Sequence, residues 1–143
     1  MDIVIPFEFH AYYYCINCID IARNNTVSDE VKCIFMSKSH NNRIRDNLVS
    51  NCQDGIDLKN GSSGNMVYNN TVINSTTNGL SVNTYASNNT FYSNIVKDSK
   101  QYGISAEDLT TLNNTFSNNQ LINSHYALNS HNKITGTRPI NTR

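Results

Sequence analysis

Side chains able to do acid–base or charge chemistry recur in this chain on a common spacing. Asp57, Ser81, Ser105 and Asn129 stand 24 residues apart, and so do Lys59, Asn83, Glu107 and His131. A third series, Asp54, Asn78, Tyr102 and Tyr126, runs three residues ahead of the first. A structure repeating at that interval would stack them into one polar ribbon holding carboxylates, a lysine, a histidine and two tyrosines. Amides and hydroxyls at such a pitch suit the hydroxyls of an extended polar polymer, and tyrosine rings can stack on sugar rings. A plainer interpretation stands beside this one. Outward residues of any repeat are polar, Lys59 beside Asp57 or Glu107 makes a weak surface ion pair, and Tyr102 and Tyr126 pack on each other.

The elements that would position these groups are legible as repeats. Gly55, Gly79 and Gly103 are 24 residues apart and the next step lands on Ala127. The segments Gly55-Ile56-Asp57-Leu58, Gly79-Leu80-Ser81-Val82, Gly103-Ile104-Ser105-Ala106 and Ala127-Leu128-Asn129-Ser130 alternate apolar and polar, as short strands with one buried face do. In this reading the second and fourth residues face inward and the polar residue between them faces out. Upstream lies a second unit, Asn42-x-Ile44-x-x-Asn47-x-Val49. It returns as Asn65-x-Val67-x-x-Asn70-x-Val72, Asn89-x-Phe91-x-x-Asn94-x-Val96 and Asn114-x-Phe116-x-x-Asn119-x-Leu121. So short a unit cannot bury its own apolar face, but stacked coils can cover one another. Asn- and Gly-rich corners tolerate left-handed backbone, and stacked Asn side chains can hydrogen-bond along the stack. These features predict an all-β, right-handed parallel β-helix solenoid of five to six coils, period about 24 residues. A leucine-rich repeat would need a Leu-rich frame, which is missing. Residues 1–23 are expected to form an N-terminal strand or cap and an irregular first coil, 24–135 the repeats, and 136–143 a tail. Asn25-Thr26-Val27 looks like the start of a unit and Cys33-Ile34-Phe35-Met36 like a Gly-position strand, with too short a gap between them for a full coil.

Composition narrows the function classes. The 143 residues carry 11 basic and 11 acidic groups, so there is no basic excess of the kind nucleic-acid binding needs. No apolar run approaches the roughly 20 residues of a membrane-spanning helix. Asn, Ser and Thr number 25, 15 and 12, about 36% of the chain, which disfavours helices. Cys15-x-x-Cys18 invites a metal or redox role, but Cys33 and Cys52 lie 19 apart and form no second close pair. The four cysteines therefore read as small buried residues; a disulfide among them is open. No metal and no cofactor is implied. Asn24, Asn60, Asn69, Asn74, Asn88 and Asn113 each head an Asn-x-Ser/Thr triplet. The first residues lack a basic segment and a small-residue cleavage site, so no signal peptide is expected there. The compartment stays open, extracellular or periplasmic if the chain belongs to a longer secreted protein. The apolar, aromatic start suggests a strand covering the first coil, and the unit begun at Asn132-x-Ile134 suggests either a piece of a longer β-helix or an end that self-associates.

The pattern Asn-x-φ-x-x-Asn-x-φ followed by Gly-Ile-x-φ resembles the parallel β-helix repeats of carbohydrate-active proteins, including the mannuronan C5-epimerases and periplasmic copper-handling β-helix proteins. It covers about 24–134. Epimerases of that kind carry a Tyr-Gly-Phe-Asp-Pro-His-Asp-like signature. Tyr102-Gly103-Ile104-Ser105-Ala106-Glu107-Asp108 shares its Tyr, its Gly and its final acid, and Asp54-Gly55-Ile56-Asp57-Leu58-Lys59 supplies the inner Asp with Lys59 in place of His. The resemblance implies C5-proton abstraction from a uronate, or lyase elimination by the same chemistry. Lys59 would neutralise the substrate carboxylate, Glu107 or His131 would act as base and Tyr102 or Tyr126 as acid. Asp57, Ser81, Asn83, Ser105, Tyr126 and Asn129 would bind the acidic glycan. The alternatives are a non-catalytic structural or assembly module stacking end to end, and a metal-handling β-helix using Cys15, Cys18 and His40, His125 or His131.

Overall fold

The computed structural model describes residues 2–3 and 21–142. The chain winds through three parallel sheets in turn. Sheet A contains β1 (Asp2–Ile3), β2 (Ile21–Arg23), β5 (Arg43–Arg45), β8 (Met66–Tyr68), β11 (Thr90–Tyr92), β14 (Thr115–Ser117) and β17 (Lys133–Thr135). Sheet C contains β3 (Thr26–Ser28), β6 (Leu48–Ser50), β9 (Thr71–Ile73), β12 (Ile95–Lys97), β15 (Gln120–Ile122) and β18 (Arg138–Ile140). Sheet B contains β4 (Lys32–Ser37), β7 (Asp54–Lys59), β10 (Asn78–Val82), β13 (Tyr102–Ala106) and β16 (Tyr126–Leu128). Each strand pairs with its counterpart one coil away, which makes a solenoid of about five turns rising about 4.8 Å per turn.

Inward positions stack like on like. Ile44, Val67, Phe91 and Phe116 form one column, and the two phenyl rings lie 4.8 Å apart. Val49, Val72, Val96 and Leu121 form another, and Ile34, Ile56, Leu80 and Ile104 a third. All of these are fully buried, each contributing about 1.5–3 kcal/mol by leaving water.

Two asparagine ladders border the apolar columns. The first joins Asn25, Asn47, Asn70, Asn94 and Asn119; the second joins Asn42, Asn65, Asn89, Asn114 and Asn132. At each rung the side-chain oxygen accepts both the backbone N–H and the Nδ2–H of the Asn one coil earlier, as Asn94 Oδ1 does from Asn70 at 3.0 Å each. The second Nδ2–H reaches back to a backbone carbonyl, as from Asn70 to the Ile44 oxygen at 2.9 Å. A buried amide thus satisfies corner groups that would otherwise be stranded.

The corners bend through left-handed residues. Of the seventeen non-glycine residues with positive φ among the described residues, thirteen are Asn or Asp, the types that accept this conformation most readily. Gly79 answers to a different constraint: a Cβ there would sit 2.8 Å from the Gly103 carbonyl oxygen of the next coil.

Several expectations shift. Asn25 is the second Asn of its unit, laddered to Asn47, so β3 and β4 belong to one ordinary coil. Rungs of the first ladder are 22, 23, 24 and 25 residues apart and those of the second 23, 24, 25 and then 18, because corner lengths vary. The solenoid also runs past residue 135, since β18 pairs with β15 within the expected tail. Cys33 and Cys52 form a disulfide across neighbouring coils, Cα–Cα 5.9 Å. They occupy the places that Gly55 and Ser75 take one coil later, where the glycine already lies against the serine. Cys15, Cys18 and nearly all of the expected N-terminal cap lie outside the described residues; within it, β1 pairs in parallel with β2.

Candidate functional site

The expected ribbon on sheet B exists in part. Asp57, Ser81 and Ser105 are stacked in register, with Phe35 one coil before and Ala127 one coil after. Asp54, Asn78 and Tyr102 form the flanking column. The central column is not open to a ligand, however: Asp57 and Ser81 are fully buried and Ser105 nearly so. Lys32 engages the Asp57 end of this column. Its ammonium forms an ion pair with Asp57 and lies 3.1 Å from Asp54 and 5.3 Å from the Phe35 ring centre. Asp57 Oδ1 also accepts from Ser81 Oγ at 2.7 Å and from Asn83 Nδ2 at 3.0 Å, and Asn78 Nδ2 donates to Asp54 at 3.3 Å. Burial pulls the Lys32 pKa down, but the charges and hydrogen bonds of Asp57 and Asp54 outweigh it and leave it raised. Both carboxylates are consumed internally. Lys32 falls outside the 24-residue frame because that frame begins at Asp54, one coil after the strand holding Cys33.

The fourth coil departs from the 24-residue frame. Ala127 pairs with Ser105 rather than following Gly103, so Asn129 is not in the Asp57 column. Its Nδ2 instead donates to the Asp108 and Thr111 carbonyls, bracing a corner. Tyr126 pairs with Ile104 and does not stack on Tyr102, whose ring meets His125 edge-on at 5.4 Å. His131 is exposed in the next corner, and its N–H donates to Asn129 Oδ1. Lys59 is half-buried at the end of β7 and forms no ion pair with Asp57 or Glu107; its charge acts on Asp108. The Asp108 carboxyl is held below the usual range chiefly by the Thr110 hydroxyl, then by the N–H groups of Thr110 and Thr84. Tyr102 opens β13 and Glu107 follows its end. Five residue steps along the strand separate them, about 16 Å. The structure does not bring this acid and this base to one carbon.

A second face is built from the positions that flank each inward residue of the first repeat unit. Outward from sheet A, Arg23, Arg45, Tyr68, Tyr92, Ser117 and Thr135 form one column. Arg43, Met66, Thr90, Thr115 and Lys133 form the other. The rings of Tyr68 and Tyr92 stack at 4.8 Å, 5° from parallel. Burial and the neighbouring Tyr68 raise the Tyr92 pKa against the opposing charge of Arg43. Arg45 is tied to Asp46 at 2.5 Å, whereas the Arg43 side chain is exposed and makes no ion pair. The described strands of sheet A hold four basic residues and one acidic residue, Asp2 of β1, and Asp46 directly follows β5. Sheet B and the segment after β13 hold Asp54, Asp57, Glu107 and Asp108 against Lys32 and Lys59. The strands of sheet A thus lean basic, while those of sheet B alone balance Asp54 and Asp57 against Lys32 and Lys59.

The family model for the right-handed β-helix region matches residues 10–141. The chain belongs to the right-handed β-helix family. No match is found among curated proteins or among solved structures. Membership fixes the handedness of this β-helix and leaves its ligand to the faces themselves. Among the described residues no group of three or more His, Cys, Asp or Glu could hold a metal ion, and no helix is long and apolar enough to cross a membrane.

Proposed function

We propose that this β-helix binds an extended acidic glycan along the outer face of sheet A, without turning it over. The observation that carries this reading is exposed Arg43 on β5, two residues before Arg45, which precedes Tyr68 and Tyr92 in its column. Guanidinium forks match uronate carboxylates. The hydroxyls of Tyr68, Tyr92, Ser117 and Thr135 then follow at one coil per step, about 4.8 Å, within reach of successive sugars. The Asn ladders make the frame rigid, which lowers the ordering cost of binding a polymer. The separation of Tyr102 from Glu107 argues against epimerase or lyase chemistry on sheet B.

The test is titration of the protein with polymannuronate and with a neutral mannan. Binding to the acidic polymer alone, weakened by salt and at least tenfold by Arg43→Ala/Arg45→Ala but not by Lys59→Ala, is the expected result. Proton NMR in deuterated water should show no loss of the C5 proton signal, and absorbance at 232 nm should stay flat. Equal binding of both polymers, or dependence on Lys59 rather than on the arginines, would refute it.

End-to-end stacking, the structural alternative, meets an obstacle at β18. The Arg138 N–H donates back to Asn119. Alternation along the strand therefore turns the nitrogen of Pro139 to the open side, where it has no hydrogen to offer. Thr137 also replaces the ladder Asn there.

A further inference from the structure

Asparagine has two structural roles in this chain, and the Asn-x-Ser/Thr triplets fall cleanly on one of them. Among the described residues nine asparagines are buried, including Asn25, Asn70, Asn89 and Asn114, and none of the nine heads a triplet. The six that do, Asn24, Asn60, Asn69, Asn74, Asn88 and Asn113, are all exposed and all sit at left-handed corners, φ between 53° and 57°. Four of the six open an Asn-Asn-Thr run: the first Asn turns the corner, the second enters the ladder, and the Thr starts the next strand. In those four, Asn24, Asn69, Asn88 and Asn113, the carboxamide makes no hydrogen bond. By contrast, Asn60 Nδ2 donates to Ser37 at 2.8 Å and Asn74 Nδ2 to Asn51 at 3.4 Å.

A second observation bears on the compartment. Cys33 and Cys52 are joined, and both are shut inside the solenoid. Structural disulfides of this kind form where the surroundings are oxidising, as in secretory and extracellular spaces. Transfer of glycans to Asn-x-Ser/Thr belongs to the surface of secreted proteins.

We propose that Asn24, Asn69, Asn88 and Asn113 are acceptor sites for N-linked glycans. The donor class is an oligosaccharide joined through pyrophosphate to a lipid. The Nδ2 nitrogen bonds to the anomeric carbon, the bond from that carbon to the pyrophosphate oxygen breaks, and the lipid pyrophosphate leaves with the electron pair. The Nδ2 proton passes to a base of the transferring enzyme. Nothing is oxidised or reduced. The solenoid also limits occupancy. Asn88 and Asn113 lie in adjacent coils, the Asn88 N–H reaching the Leu112 carbonyl at 3.0 Å, so the two acceptors are about one strand spacing apart. Two branched glycans do not fit at that pitch, and one of the pair is modified per chain. Asn69 has Asp46 and Ser93 as its corner neighbours and no competitor. This inference is independent of the sheet A reading.

The test is intact-glycopeptide mass spectrometry on the protein isolated from its own cells. Glycans on Asn24 and Asn69, and on either Asn88 or Asn113 in any one chain, are expected. A full-length protein whose mass equals that of the bare chain would overturn the proposal. So would a glycan on any of the nine buried asparagines.

Discussion

Asn69 and Asn70 are adjacent and identical, yet replacing them should have very different consequences. Asn70 Oδ1 accepts the Asn47 N–H at 3.1 Å and Nδ2–H at 2.9 Å, while its own Nδ2 donates to the Ile44 carbonyl and to Asn94 Oδ1. Asn70→Ala removes all four bonds and leaves two buried donors on Asn47 with no acceptor. At about 1–3 kcal/mol for each stranded group, the loss comes to about 4 kcal/mol. That is a large part of the roughly 5–15 kcal/mol that holds an ordinary domain together. With a urea slope of about 2 kcal/mol per molar, the midpoint should fall by about 2 M. Asn69 is exposed with φ 54° and its carboxamide makes no hydrogen bond, so Asn69→Gly keeps the corner and should stay within about 0.5 kcal/mol of the parent. Unfolding of bacterially produced protein, followed by circular dichroism and tyrosine fluorescence together, measures both. Equal midpoints for the two variants, or a loss under about 1 kcal/mol for Asn70→Ala, would show that the ladder is not what holds the coils in register.

Removing the disulfide with Cys33→Ala/Cys52→Ser keeps the serine that later coils carry at the second position. The closed loop spans 19 residues, so chain entropy predicts a loss of about 3 kcal/mol in the same urea assay. Gly79→Ala drives a methyl group against the Gly103 carbonyl and the Ser99 hydroxyl, at 2.8 and 3.0 Å; a loss of about 1–3 kcal/mol is expected, measured as a fall in melting temperature. Asp108 has a lowered pKa in the folded state, so its contribution is present above the unfolded value near 3.9 and disappears as pH falls through the folded one. Asp108→Asn should therefore flatten the dependence of melting temperature on pH in the acid range, and an unchanged slope would contradict the assignment.

The repeat was legible because inward residues face chemically uniform surroundings in every coil. Ile44, Val67, Phe91 and Phe116 meet the same neighbours, and Asn47, Asn70 and Asn94 the same two carbonyl-bearing corners. Outward chemistry was harder to place for two reasons. Corner lengths are under no packing constraint, so the fixed 24-residue step failed at Ala127 and misplaced Tyr126, Asn129 and His131. A side chain as long as Lys32 also acts three strand positions from its own Cα, and no alternation of polar and apolar residues reveals that it reaches Asp57. The sheet A ribbon was present in the sequence as the two positions flanking each inward residue of the first unit, Arg43 and Arg45, Met66 and Tyr68, Thr90 and Tyr92.

The ladders also give the solenoid a direction. Every rung turns its side-chain oxygen toward the preceding coil, in both ladders and at every step from Asn25 to Asn132. The carboxamide dipoles therefore add along the axis instead of cancelling, much as peptide dipoles do in a helix. The two ends of the column are electrically distinct, acceptor-rich toward the first coil and donor-rich toward the last. A coil duplicated within the array would inherit this orientation from its neighbour, and one inserted backwards would set oxygen against oxygen. The molecule can lengthen or shorten by whole turns, but only with its polarity preserved.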